Sequence, residues 1–65
     1  MTLIRKTILV PVKIGDLIMA PDSIFRADLD LYVCGIKGDM LYIDTEPNTP
    51  ITECERVFAE DCYLI

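Results

Sequence analysis

Three cysteines (Cys34, Cys54 and Cys62), eleven Asp and Glu residues and a single serine, Ser23, are the side chains in this 65-residue sequence best suited to chemistry, and no histidine accompanies them. A structural zinc site wants four sulfur or nitrogen ligands, usually with two of them in a C-x-x-C pair. Here no such pair occurs, and a carboxylate would have to complete the set. The odd count and the spacing instead predict three free, reduced thiols in a reducing compartment, with no metal and no cofactor.

Carboxylates recur at short spacing in Asp28/Asp30, Asp44/Glu46, Glu53/Glu55 and Glu60/Asp61. Residues two apart share one face of an extended strand. That arrangement serves a shared acid/base pair or a hard cation. No calcium-loop spacing is present, and a solvated acidic face is the ordinary reading of such pairs. Nucleophilic catalysis needs Ser or Cys beside a base. Ser23 follows Pro21-Asp22 and is explained by capping a turn. The three glycines stand apart, so no phosphate-cradling loop exists. The chain is expected to be non-catalytic.

Six Lys and Arg against eleven Asp and Glu give a net charge of -5. Phosphate contacts supply most nucleic-acid affinity. The basic residues form no run longer than Arg5-Lys6, so nucleic acid and anionic membranes are disfavoured partners. No apolar stretch approaches a membrane span, and the amino-terminal apolar run ends at Pro11. A cytoplasmic location is expected. A chain of 7.4 kDa folds as one domain, residues 1–65, with a surface of roughly 4,200 Å². Its small core leaves no room for a large ligand cavity.

The elements that position these groups follow from punctuation. Pro11, Gly15-Asp16, Pro21-Asp22, Gly35, Gly38-Asp39 and Pro47-Asn48-Thr49-Pro50 separate short runs rich in Ile, Val, Leu and Tyr. Such spacing predicts a small all-β sandwich or barrel. Ile4 to Ile14 is expected as one strand, with Ile4, Ile8, Val10, Val12 and Ile14 on one face and Pro11 marking an edge or bulge. Leu17 to Ala20 is a second strand. Residues 21 to 28 hold either a single capped helical turn or an excursion loop. Leu29 to Ile36 and Met40 to Asp44 form a hairpin about Gly38-Asp39. Ile51 to Phe58 is a further strand with Glu53 and Glu55 outward. Ala59-Glu60-Asp61 is a short turn, and Cys62 to Ile65 is a last strand able to pair with the first.

Ile14-Gly15-Asp16-Leu17-Ile18-Met19 resembles the opening of small Src-homology-3-like barrels of the Tudor and KOW type. Val33-Cys34-Gly35-Ile36 with Met40-Leu41-Tyr42-Ile43-Asp44 resembles their central hairpin, and Arg56 through Leu64 their closing strands. The resemblance covers Val12 to Ile65 in layout. It implies an antiparallel barrel of five to six strands. It also implies either a nucleic-acid role, which the acidic charge opposes, or an aromatic cage drawn from Phe25, Tyr32, Tyr42, Phe58 and Tyr63. Core packing is the ordinary role of those rings.

Apolar residues make up 52% of the chain, more than so small an interior can hold. Ile18, Ile24, Phe25, Tyr32 and Leu41 fall out of phase with the inward positions. They suggest an exposed patch that docks a partner protein, with Asp28, Asp30, Glu53 and Glu55 as an acidic rim suited to a basic partner. Phe25 serves equally well as a core residue. The small size, acidity and lack of a catalytic set resemble accessory proteins of phages or mobile elements that modulate host enzymes. The alternatives are a structural subunit of a homo-oligomer, a homodimer above all, and a KOW-like nucleic-acid binder.

Overall fold

The structure is a computed structural model, and it describes residues 2–21 and 29–65. β-Branched and aromatic residues between turn formers build strands β1 (Leu3–Arg5), β2 (Leu9–Pro11), β3 (Leu17–Met19), β4 (Asp30–Lys37), β5 (Met40–Asp44), β6 (Glu55–Phe58) and β7 (Tyr63–Leu64). Two 3₁₀ turns, η1 (Ile51–Glu53) and η2 (Ala59–Asp61), flank β6. The described residues are all-β and contain no α-helix.

These strands form one mixed sheet in the order β2-β1-β7-β3-β4-β5-β6. All neighbours run antiparallel except β1 and β7, which are parallel. The sheet curls. Thr2, at the start of β1, donates its hydroxyl to the Gly38 carbonyl at 2.5 Å, although β1 and the β4–β5 turn belong to opposite parts of the strand order. Beside that contact the Ala59 N–H donates to the Asp39 carbonyl. Ile4, Ile18, Leu31, Leu41, Ile43 and Cys62, all 0% exposed, fill the concave side.

Three expectations are corrected. The sheet has seven strands rather than five or six, and it is mixed rather than wholly antiparallel. The extra strand arises because Ile4 to Ile14 is not one strand. Lys6 N–H donates to the Ile8 carbonyl and Val12 N–H to the Thr2 carbonyl, folding the segment into the β1–β2 hairpin. Ile4, Val10 and Val12 keep the shared inward phase, while Ile8 at the turn and Ile14 beyond it are exposed. Second, Ile51 to Phe58 is not one strand, because η1 follows Pro50 and only Glu55–Phe58 enters the sheet. Third, Ile18 and Leu41 are core residues rather than surface ones. Leu41 and Ile43, two residues apart on β5, share the inner face, and a β-bulge between Val33 and Gly35 brings Ile36 opposite Leu41.

Two local features fix this frame. Gly38 carries the positive φ of 58° that a two-residue hairpin turn requires, with Lys37 opposite Met40. Pro11 sits in edge strand β2. Since Val12 N–H points to β1, the Pro11 nitrogen points to the free edge, where a missing donor costs no ladder bond.

Candidate docking surface

Alternation decides what faces outward. In β1 and β3 a fully buried isoleucine, Ile4 or Ile18, is flanked by exposed neighbours. Register then lines up one outward row across five strands: Leu9 on β2, Arg5 on β1, Tyr63 on β7, Met19 on β3 and Asp30 on β4. A second row lies beside it. Ile65 donates its N–H to the Leu17 carbonyl, Leu17 stands opposite Tyr32, and Tyr32 stands opposite Asp44. Leu17, Met19, Tyr63 and Ile65 are 37 to 52% exposed and form the apolar centre of this face.

The charge is segregated along the rows. Arg5 lies over the Tyr63 ring, its guanidinium carbon 6.0 Å from the centroid, with exposed Lys6 next in sequence. Asp30 and Asp44 occupy the other side. At the Arg5 end the face runs into an open groove of about 750 Å³ between the β1–β2 hairpin and η2. Its apolar walls include Leu3, Ile8, Leu9 and Phe58, all more than 40% exposed. The sequence argument left no room for such a volume. The groove reconciles the two because it lies on the surface and takes nothing from the core.

The residues expected at a docking site fare differently. Tyr32 and Asp30 join the outer face, beside Leu17 and Met19. Ile24, Phe25 and Asp28 lie outside the described residues. Glu53 and Glu55 do not form an outward pair on one extended strand. Glu53 is exposed in η1, whereas Glu55 is half-buried opposite Ile43, on the side that faces the core. The acidic rim is therefore one-sided, and Arg5 with Lys6 faces it from the opposite end. Sequence reasoning passed over Arg5, Leu17, Met19 and Ile65, and named Tyr63 only as a cage or core ring. The signal was the run Leu17-Ile18-Met19, in which a three-residue apolar strand of a one-sided sheet must expose two members.

Cys34 and Cys54 lie at the turn that follows β5. Asp44 accepts hydrogen bonds from the Thr45 N–H and the Thr49 hydroxyl, which holds the turn in place. Cys34 donates to the Glu46 carbonyl at 3.5 Å, and Cys54 to the Pro50 carbonyl at 3.4 Å. Burial, then the neighbouring Cys34 and its hydrogen bond, then the carboxylates of Asp44 and Glu53, push the Cys54 thiol up to about 11. A thiol so disposed is a weak nucleophile at neutral pH. Cys62 is buried and donates to the Phe58 carbonyl. Among the described residues no group of three or more Cys, Asp or Glu side chains is gathered to hold a metal ion. Nor is any helix of the described residues long and apolar enough to cross a membrane.

The chain matches no protein-family model, no curated protein and no solved structure.

Proposed function

We propose that this protein is a non-catalytic protein-interaction module, a small Src-homology-3-like barrel whose outer face docks a partner protein. One observation carries the reading. Leu17, Met19, Tyr63 and Ile65 lie together and exposed on a sheet whose opposite side already holds the core. The largest exposed apolar patch of a small protein is often a functional one. The total surface is 4393 Å², and a standard interface removes about 800 Å² per partner, nearly a fifth of it. The rings and aliphatic chains supply affinity, while the segregated charges set orientation and approach.

Immobilised wild type and the Leu17→Lys/Met19→Lys double variant test this in lysate of the native host. Both substituted positions are exposed, so the fold survives, which circular dichroism checks. A polypeptide captured by the wild type and lost with the variant supports the reading. No specific capture, or capture that the variant leaves unchanged, overturns it.

A further inference from the structure

We propose that the occupant of this face is a second copy of the chain, related to the first by a two-fold axis that lies in the interface, parallel to the strands and midway between β7 and β3. The proposal rests on the docking reading above and names its partner.

The face is complementary to itself. An isologous interface must offer each group and its match on the same surface, on opposite sides of the axis. Along the outward rows Arg5 lies on β1, and Asp30 with Tyr32 lies on β4, three strand positions away. At sheet spacing that is about 14 Å. Tyr63 and Ile65 on β7, and Met19 and Leu17 on β3, fill the space between. A two-fold rotation about the middle carries each Arg5 onto the Asp30/Tyr32 side of the other copy. It lays the apolar centre of one copy on the apolar centre of the other. Arg5 then meets a carboxylate and an aromatic ring, both of which attract a guanidinium. No cation meets a cation, and the interface gains two equivalent charge pairs.

Two copies at -5 repel at long range, so bulk electrostatics opposes this dimer. A dimer that forms does so through local complementarity, and this separates the two effects by sign. Replacing Asp30 with Arg lowers the net negative charge and relieves the bulk repulsion, yet in this arrangement it sets cation against cation.

Sedimentation velocity over a concentration series reads the association of wild type, Arg5→Asp, Asp30→Arg and the double charge swap. Each single variant is expected to raise the dimer dissociation constant about tenfold or more. The double swap restores both charge pairs and the net charge of -5, and its association is expected to return toward wild type. Circular dichroism confirms folding, and Arg5→Gln with Asp30→Asn replaces any variant that fails to fold. Tighter association of Asp30→Arg, singles that match wild type, or a double swap without rescue overturns the two-fold arrangement. A wild type that stays monomeric throughout overturns the dimer itself. The docking reading is then judged separately, on whether Leu17→Lys/Met19→Lys loses a captured polypeptide.

Discussion

Met19 and Asp30 face one another across the β3–β4 ladder, so an exposed thioether and an exposed carboxylate sit side by side on the outer face. Their chain neighbours, Ile18 and Leu31, form the adjoining register pair, and both are completely buried. One step along each strand thus separates core from docking surface.

That step sets the first prediction. Ile18→Ala removes a fully buried side chain and should cost about 2 to 5 kcal/mol of stability. Met19→Ala removes an exposed one and should change stability by no more than about 0.5 kcal/mol. Urea unfolding of the two variants checks the contrast.

Gly35 carries the second. A Cβ placed there would stand 2.7 Å from Ile51 Cγ2 and 3.3 Å from Tyr42 Cδ2. Ile51 is β-branched, which restricts the χ1 rotations by which its Cγ2 could move aside. Gly35→Ala should therefore cost about 1 to 3 kcal/mol, the range of overpacking. Removing the clash with Ile51→Ala in the same chain should recover much of the loss. A double variant no more stable than Gly35→Ala would place the cost elsewhere.

Cys54 makes stability depend on alkaline pH. Its thiol titrates near 11 in the folded protein against an ordinary value of 9.0. Between these values the folded state binds more protons than the unfolded chain, so stability falls as pH rises from about 9 to about 11. Below pH 9 both states hold the proton and this contribution is flat. Unfolding measured across that window should show the decline in wild type and a shallower one in Cys54→Ser.

Pro11 guards the β2 edge. Pro11→Ala adds an N–H that points away from β1, toward the open edge. Folding stability should move by no more than about 0.5 kcal/mol. The new donor should make edge-to-edge association easier, seen as faster light-scattering growth on concentration. Equal growth rates would contradict this role.

Much of the fold was legible in the residues. Gly38-Asp39 between two apolar runs marks the β4–β5 hairpin, and Met40–Asp44 is observed with the expected limits. Ala59-Glu60-Asp61 forms the short turn expected, as one turn of 3₁₀ helix. The β1–β2 hairpin was hidden because Lys6-Thr7-Ile8 contains no Gly, Pro or Asn to announce a turn. η1 was hidden because Ile51 and Thr52 have the propensity of a strand. The docking face was half legible. Tyr32 and Asp30 were singled out by phase, but Arg5, Tyr63 and Met19 meet only through the pairing of β7 with both β1 and β3. No local pattern encodes such a pairing.

Site-specific photo-crosslinking tests the central claim most directly. A benzophenone-bearing residue is placed at exposed Leu17 on the outer face and, in a separate protein, at exposed Thr52 in η1. Both are irradiated in lysate of the native host. The account predicts a discrete adduct from position 17, with a second copy of the chain or with another polypeptide, and none from position 52. Adducts from position 52 alone, or none from position 17, would contradict it.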